Sequence, residues 1–223
     1  MFKAILSWSS GKDSAMALYR VLRSEEFEVV CLLTTVTDRF RRVSMHGVRE
    51  ELIDAQAISL GYHMEKMMIP YPCPNEVYEE KMANFLSGWK SKGVSHVIFG
   101  DLFLEDIRKY REQKLSQIDM TPVFPLWGEN TAALAREMLS VGFKAVLTCV
   151  NPKVLEPRFA GHFFDETFLN DIPAEVDPCG ENGEFHTFVF DGPIFHKPIT
   201  VKTGETISRD GFLFTDVEQA GTN

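Results

Sequence analysis

Residues 7–14 read SWSSGKDS and lie between an apolar run at residues 4–6 and a segment of helical periodicity that begins near Ala15. Small residues let a backbone approach an anion closely, and the N-terminus of the following helix offers unpaired N–H groups. Lys12 adds a full positive charge at the same place. The stretch predicts a strand, a pyrophosphate-binding loop and a helix in succession, so ATP is the first ligand to consider. We refer to residues 7–14 as the phosphate loop.

The order of residues in this loop distinguishes between two known classes of phosphate-binding loop, the Walker A loop and the PP-loop. A Walker A loop has a glycine five residues before Gly11 and a hydroxyl directly after Lys12, but this chain has Leu6 and Asp13 there. The loop instead resembles the SGGKDS loop of the PP-loop ATP pyrophosphatases, with Ser10 in place of the first glycine. That resemblance implies cleavage of ATP between the α and β phosphates. A helix N-cap without a ligand is the structural alternative. The candidate nucleotide-binding residues of the loop are Ser7, Ser9, Ser10, Gly11, Lys12, Asp13 and Ser14.

Length and composition favour a globular protein with a substantial core. The chain has 223 residues, of which 44% are hydrophobic, enough for one large domain or two small ones. No run of about 18 apolar residues and no secretory signal is present, so we expect a cytoplasmic protein without a membrane partner. The cysteines form no C-x-x-C pair, which favours reduced, mostly buried thiols over a structural zinc site or a disulfide framework. They are Cys31, Cys73, Cys149 and Cys179.

The charge of the chain bears on its partners. A net charge of −9 argues against a broad nucleic-acid-binding surface, because such surfaces neutralise phosphates with Lys and Arg. Arg39, Arg41 and Arg42 form one short basic cluster, for which a solvated loop is the favoured interpretation. The sequence leaves a homo-oligomer open.

Short apolar runs alternate with helical periodicity over the first 150 residues. This pattern predicts a doubly wound parallel sheet with right-handed crossovers, a Rossmann-like α/β fold of the PP-loop (HUP) type. We expect an ATP-binding domain at residues 1–150. The predicted strands are at residues 3–8, 27–36, 64–69, 95–100, 121–126 and 143–150.

The character of the chain changes after residue 150. Prolines interrupt any regular period, so we expect a smaller α+β region at residues 151–223 that binds the substrate. Asp210-Gly211 predicts a hairpin turn near its end.

In a doubly wound sheet the ligand lies beyond the carboxyl ends of the strands, where the strand order reverses. A strand order of 3-2-1-4-5 places Gly100 and Asp101 in the same crevice as the phosphate loop. Asp101 is a candidate to hold Mg²⁺ or to orient the substrate, and the alternative is an N-cap for a helix near Glu105. Thr35 is a candidate adenine or ribose contact, joined by His46, for which a capping or surface role is the alternative.

A second polar motif occupies residues 177–187, which read DPCGENGEFHT. Two glycines and a proline support a turn, while acid, amide, imidazole and hydroxyl groups crowd the same segment. A surface loop has this composition, but so do loops that assemble active sites. We refer to residues 177–187 as the second motif.

Both motifs resemble one family. The phosphate loop together with EVDPCGENGEFHTFVFDGP at residues 175–193 resembles the diphthine–ammonia ligase family of PP-loop ATP-binding proteins. FGDLFLEDIRKYRE at residues 99–112 and PLWGEN at residues 125–130 resemble its middle region. The resemblance covers nearly the whole chain, and the second motif is its more specific part, since many enzymes share the phosphate loop.

The resemblance implies an ATP-dependent ligase. A substrate carboxylate would attack the α-phosphate of ATP, and ammonia would then displace AMP from the acyl-adenylate. Lys12 and the loop N–H groups would stabilise the departing pyrophosphate, with Mg²⁺ bridging the phosphates. Asp13 and Asp101 are the candidate ligands of that ion, and bracing of the loop is the alternative role for Asp13. Glu181 and Glu184 are candidates to bind or deprotonate ammonium. The candidate substrate-binding residues are Asn182, His186, Thr187 and Arg111, although an exposed charge pair with Glu112 is the alternative for Arg111.

Two other functions stay open at this point. One is an ATP-binding sensor of the universal stress type, although such modules carry their phosphate contacts late in the domain. The other is sulfur transfer with Cys179 as nucleophile, which the absence of paired cysteines and of a basic surface disfavours. Free ammonia is the expected nitrogen source, because the sequence offers no glutaminase constellation.

Overall fold

A parallel sheet occupies the first half of the chain. The computed structural model describes residues 1–221. The strands of the first half are β1 (Phe2–Ser7), β2 (Phe27–Thr37), β3 (Arg42–Val43), β4 (Met64–Ile69), β5 (His96–Ile98) and β6 (Thr121–Val123). The parallel strands lie in the order β4-β2-β1-β5-β6, and the short β3 pairs antiparallel with the end of β2. Counted among the parallel strands, this is the predicted order 3-2-1-4-5, which is confirmed.

Helices cover both faces of this sheet, as a doubly wound fold requires. Four helices do so, α1 (Lys12–Ser24), α3 (Asn75–Lys90), α4 (Glu105–Ser116) and α5 (Thr131–Ser140). Helix α2 (Glu50–Leu60) packs with apolar residues of the second sheet, and α6 (Glu166–Asp171) packs with α5 and that sheet. Apolar residues of α1 and α5 pack with Ala4 and Leu6 of β1, whereas those of α3 and α4 pack with Ile5 on the other face. Successive β1 residues therefore contribute to different cores. Within residues 1–221, no helix has both the length and the apolar character needed to cross a bilayer.

A second, antiparallel sheet follows. Its strands are β7 (Lys144–Val150), β8 (Phe163–Phe164), β9 (Phe185–Asp191), β10 (Val201–Arg209) and β11 (Phe212–Gln219), and a 3-10 helix spans Pro157–Phe159. The strand predicted at residues 143–150 forms as β7, but its assignment to the parallel sheet is wrong, because β7 pairs antiparallel with β8, β9 and β11. A strand that is buried on both faces has the same continuous apolar pattern in a parallel sheet and in an antiparallel one, so the pattern does not identify the sheet. The domain division at residue 150 stays a prediction, and the pairing of β7 favours an earlier one.

The hairpin predicted at Asp210-Gly211 is confirmed. These two residues join β10 to β11 with φ angles of 52° and 83°. Positive φ at both positions is the geometry of a type I′ turn, whose twist matches that of the flanking strands.

The phosphate loop lies where the two sheets meet. The N–H of Val189 in β9 donates to the carbonyl oxygen of Ser10 at 2.9 Å, and the amide of Gln56 in α2 donates to the same oxygen at 3.1 Å. The Oε1 of Gln56 accepts from the indole of Trp8 at 2.8 Å. Gln56 is completely buried. Both sheets and α2 therefore fix the position of the loop.

Candidate active site

A cleft of about 400 Å³ opens at the carboxyl ends of β1, β2 and β5. The second motif forms its opposite wall. The predicted site residues that line the cleft are Ser7, Ser9, Lys12, Asp13, Ser14, Thr35, His46, Gly100, Asp101, Arg111, Glu181, His186 and Thr187. Ser10, Gly11, Asn182 and Glu184 lie outside its lining. The topology thus brings together most of the residues selected from the sequence.

Two glycines are required by close approach of neighbouring atoms. A Cβ on Gly11 would lie 2.8 Å from the imidazole of His46 and 3.1 Å from the carbonyl oxygen of Thr187. A Cβ on Gly100 would lie 2.8 Å from the backbone of Asp13. The loop therefore packs directly against the end of β5 on one side and against the second motif on the other.

Ser10 adopts a backbone conformation that favours glycine. Its φ is +73°, and its side chain is completely buried. The Ser10 hydroxyl has no hydrogen-bond partner within residues 1–221. A non-glycine residue in this region costs about 1–2 kcal/mol. This explains in physical terms why a glycine stands at the equivalent position of the SGGKDS loop.

We expect Ser10→Gly to raise the free energy of unfolding by about 1 kcal/mol. Glycine removes the backbone strain of the positive φ and the cost of an unpaired buried hydroxyl, and both changes stabilise the folded protein. Together they outweigh the conformational entropy that glycine adds to the unfolded chain, which costs about 0.4–1 kcal/mol of stability. Thermal unfolding followed by circular dichroism should show Tm higher by about 2–4 °C. Ser9→Gly is the matched control, expected to lower Tm, because Ser9 Oγ accepts from the Gly11 N–H and donates to Ser14 Oγ. A lower Tm for Ser10→Gly would contradict this account.

Thr187 completes the N-terminus of α1 from far along the chain. Its hydroxyl accepts from the N–H of Lys12 at 3.1 Å, in the manner of a helix cap. Its carbonyl oxygen lies 3.0 Å from Nδ1 of His46. Thr187 is buried and was predicted to hold the substrate. In the structure, Thr187 stabilises the phosphate loop by accepting this hydrogen bond.

Lys12 is buried beneath the second motif. Its Nζ lies 2.8 Å from Oδ1 and 2.9 Å from Oδ2 of Asp13, and it also donates to the carbonyl oxygen of Cys179. The rings of Phe164 and Phe185 lie 5.7 and 5.3 Å from Nζ. Burial lowers the pKa of Lys12, but Asp13 and the other acidic neighbours outweigh it, so the pKa is raised and the ammonium persists. A fixed cation therefore sits at the start of α1.

Asp101 and Arg111 form a two-point ion pair in the cleft. Nε of Arg111 lies 2.6 Å from Oδ2 of Asp101, and Nη2 lies 3.1 Å from Oδ1. The alternatives for these two residues are both wrong. Asp101 is not the N-cap of α4, because that position is Leu104. Arg111 does not pair with Glu112, which instead pairs with Arg108 at 2.7 Å. A pattern of charges on one helix does not show which side chain reaches the cleft.

Glu181 is the carboxylate of the second motif that faces the cleft. Its Oε1 accepts from the N–H of Leu102 at 2.8 Å, which joins the motif to the segment after β5. Burial, reinforced by the charges of Asp13 and Asp101, raises the pKa of Glu181 to about 7. A carboxyl group with this pKa can accept and release a proton at neutral pH.

Asn182 and Glu184 face a different cavity. They line a space of about 470 Å³ together with Asn151 and Glu175. Oε1 of Glu184 accepts from the Asn182 amide at 3.0 Å and from the N–H of Asp177 at 3.1 Å. These contacts hold the turn of the second motif. The expectation that all its polar side chains share one pocket is therefore not met, and the chemical roles of these two residues stay predictions.

Two neutral histidines stack at one side of the cleft. The rings of His46 and His186 have centroids 4.6 Å apart. Burial lowers the pKa of His46 to about 4, and burial together with His46 lowers the pKa of His186 well below its usual range. Because a carbonyl oxygen only accepts, His46 Nδ1 carries its proton and Nε2 is left as an acceptor. His46 is neither a cap nor a surface residue: α2 begins at Glu50, after the N-cap Arg49.

Sequence reasoning missed several residues that shape the site. Gln56 supports the loop from α2, and Phe164 and Phe185 flank the Lys12 ammonium. Tyr78 and Met82 of α3 form an apolar wall of the cleft. A buried glutamine among apolar positions is the one signal that could have been noticed, since buried amides need partners.

The cleft carries donors suited to Mg²⁺. Asp13, Asp101 and Glu181 offer hard carboxylate oxygens, which Mg²⁺ prefers. Within residues 1–221 they do not converge into a ready-made three-ligand cage. Mg²⁺ commonly binds through one or two carboxylates plus substrate phosphates, so this donor set fits an ion that arrives with a nucleotide.

Cys179 has the properties of a structural thiol. It is buried, its Sγ donates to the carbonyl oxygen of Thr131 at 3.4 Å, and burial raises its pKa far above the usual range. A nucleophilic cysteine needs the thiolate. These features weigh against sulfur transfer through Cys179.

Comparison with known proteins identifies relatives over most of the chain. A diphthine–ammonia ligase from Rattus norvegicus is 25% identical over 233 residues, covering 94% of this chain and 86% of that protein. A diphthine–ammonia ligase from Homo sapiens is 32% identical over 120 residues, covering 51% of this chain and 45% of that protein. A solved structure described as a predicted subunit of tRNA methyltransferase from Methanocaldococcus jannaschii covers 65% of this chain and 77% of its own, with 14% identity and a TM-score of 0.41.

Family models match both halves of the chain. The model described as the diphthamide synthase N-terminal domain matches residues 2–120, and the one described as the diphthamide synthase C-terminal domain matches residues 130–221. The first match contains the phosphate loop and the second contains the second motif. The parallel sheet with its phosphate loop and the antiparallel sheet that closes over it thus belong to a member of the diphthamide synthase family.

Proposed function

We propose that this chain is an ATP-dependent ligase that amidates a carboxylate with ammonia through an acyl-adenylate. One observation carries the proposal: a buried lysine at the phosphate loop shares a single cleft with the Asp101–Arg111 pair and with Glu181. The relatives named diphthine–ammonia ligase support amidation and favour a diphthine-type carboxylate as substrate.

In the first step, an oxygen of the substrate carboxylate attacks the α-phosphate and pyrophosphate leaves. Lys12 and the N-terminus of α1 stabilise the charge that develops on the pyrophosphate. Arg111 retains N–H donors beyond those used by Asp101, and a guanidinium matches a carboxylate in geometry. It therefore orients the attacking group beside the end of β5.

Asp13 and Asp101 are the residues that would hold Mg²⁺. When bound, the ion would supply positive charge next to the phosphates. The cleft needs this charge, because the described residues that line it include three carboxylates (Asp13, Asp101 and Glu181) and two cations (Lys12 and Arg111). Those two cations are already paired, Lys12 with Asp13 and Arg111 with Asp101.

In the second step, Glu181 accepts a proton from ammonium. The ammonia formed attacks the acyl carbon, the bond to the AMP oxygen breaks, and the products are the amide and AMP. The attacking nitrogen releases one further proton, to solvent, as the amide forms. His46 and His186 stay uncharged, so they can hold the acyl group by hydrogen bonds without competing for the proton.

Product analysis tests the proposal. The protein is incubated with ATP, Mg²⁺, ammonium and a cell extract freed of small nucleotides, and AMP, ADP and pyrophosphate are measured. We expect AMP and pyrophosphate in equal amounts, dependent on the extract. ADP as the product would indicate phosphotransfer, and ATP that is bound but unchanged would indicate a sensor. Glutamine that supports turnover as well as ammonium does would contradict free ammonia as the nitrogen source.

A further inference from the structure

Three side chains with metal-binding groups lie together near the start of β4, the outermost parallel strand, at the end of the sheet away from the cleft. Cys31 lies on β2, His63 precedes β4, and Glu65 is near the start of β4. Their potential ligand atoms, a thiol sulfur, an imidazole nitrogen and a carboxylate oxygen, all lie within 4.8 Å of one another. In the part of the chain that the structure describes, no other three Cys, His, Asp or Glu residues meet this condition.

Strand pairing creates this cluster. Leu32 pairs with Met64 and Leu33 with Glu65 in the parallel register of β2 and β4, and the Leu32 N–H donates to the His63 carbonyl oxygen at 2.9 Å. Continued by one residue, this register places Cys31 directly across from His63 and diagonally across from Glu65. The ligands come from neighbouring strands, so no spacing along the sequence reveals them. The expectation against a structural zinc site rested on the absence of a C-x-x-C pair, a pattern that does not detect ligands from neighbouring strands.

The cluster combines one buried thiol with two side chains that are partly exposed to solvent. Cys31 is completely buried, whereas the side chains of His63 and Glu65 are 61% and 36% exposed. Nε2 of His63 already lies 3.3 Å from Oε1 of Glu65. An ion from solvent can meet the two exposed groups first, and small side-chain rotations then bring them toward the sulfur. Lys92 is the cation whose charge acts on the Cys31 thiol, and its Nζ lies 4.2 Å from the centre of the Trp89 ring.

We propose that Cys31, His63 and Glu65 bind one zinc ion, with water as the fourth ligand. Zinc is borderline-soft, takes sulfur, nitrogen and carboxylate oxygen together, and binds tetrahedrally with three protein ligands when one position stays open. The proton of the Cys31 thiol is released to solvent as the zinc–sulfur bond forms. The site joins β2 to β4 and is separate from the ATP cleft, so it does not depend on the proposed ligase activity.

Cobalt titration of the untagged, chelator-treated protein tests the site. Co²⁺ replaces zinc in such sites and gives a near-ultraviolet charge-transfer band only when a thiolate is bound. We expect one Co²⁺ per chain with this band, its loss on addition of one equivalent of Zn²⁺, and tighter binding as pH rises. The band should disappear in Cys31→Ser and persist in the matched control Cys149→Ser, whose thiol lies in β7 away from the cluster.

His63→Ala keeps the test decisive if Cys31→Ser folds poorly. His63 is exposed, so its removal leaves the core intact, and we expect the variant to lose zinc-dependent thermal stabilisation that the wild type shows. No charge-transfer band in the wild type at any cobalt concentration would overturn the proposal. So would a band that survives Cys31→Ser, or unchanged zinc stabilisation in His63→Ala.

Discussion

Replacing Lys12 by methionine should lower the rate of AMP formation by at least about a hundredfold, the usual effect of removing one well-placed electrostatic partner of a transition state. The Lys12 ammonium is the cation of the phosphate loop, and its pKa is raised, so it is charged throughout the neutral range. Methionine keeps most of the side-chain volume between Phe164 and Phe185 but carries no charge. The variant therefore separates the electrostatic contribution of Lys12 from its packing.

The structure explains why alanine is a poor choice at this position. Lys12 is 2% exposed and pairs with Asp13. Both alanine and methionine leave the Asp13 carboxylate without its partner, and breaking a buried pair costs about 3–5 kcal/mol. Alanine in addition opens a cavity that methionine fills. Asp13 keeps partial contact with solvent, so the loss is smaller here. Adding Asp13→Asn to Lys12→Met should recover part of the lost stability without restoring turnover.

AMP release and thermal unfolding are the two measurements for this series. Lys153→Met is the matched control, because Lys153 is exposed and lies outside the cleft. We expect it to behave as the wild type in both measurements. AMP formation by a folded Lys12→Met variant at the wild-type rate would remove Lys12 from the proposed mechanism and, with it, the main support for a pyrophosphate-binding loop.

The fold was predictable where local pattern and general topology rules agree. Continuous apolar runs with helices between them gave the parallel sheet, and the order 3-2-1-4-5 then placed Gly100 and Asp101 beside the phosphate loop. β7 has the same kind of apolar run, but its neighbours β8, β9 and β11 come later in the chain. Which sheet a buried strand joins depends on pairing partners that its own residues do not encode.

The candidate site was predictable as a set of residues but not as a geometry. Glycines with positive φ at 180 and 183 reverse the chain within the second motif, so Asn182 and Glu184 turn away from the cleft while Glu181 faces it. Likewise, Thr187 contacts the Lys12 N–H only because β9 lies against the start of α1. Contacts between distant segments follow from tertiary packing, and one sequence alone does not supply them.

Glu181→Gln should lower amide formation by about 10²–10⁴-fold, the usual contribution of a general base. Glutamine keeps the oxygen that accepts from the Leu102 N–H but cannot take a proton. The first step does not use this proton transfer. Pyrophosphate exchange into ATP, measured with the active extract fraction, should therefore stay within a few-fold of the wild type.

The pH dependence gives the sharper test of Glu181. Because burial raises its pKa to about 7, the base is mostly protonated at pH 6 and mostly ionised at pH 8. At fixed total ammonium, the wild-type rate should rise with pH and level off above about 7. The Glu181→Gln variant depends on free ammonia already in solution, so its rate should keep rising by about tenfold per pH unit.

Glu175→Gln is the matched control, since Glu175 is exposed and borders the second cavity rather than the cleft. It should retain both the rate and the plateau of the wild type. If Glu181→Gln instead shows the same plateau, the group that titrates near pH 7 lies elsewhere in the cleft. Equal loss of pyrophosphate exchange and amide formation would place Glu181 in the adenylation step, where its carboxylate would act on ATP rather than on ammonium.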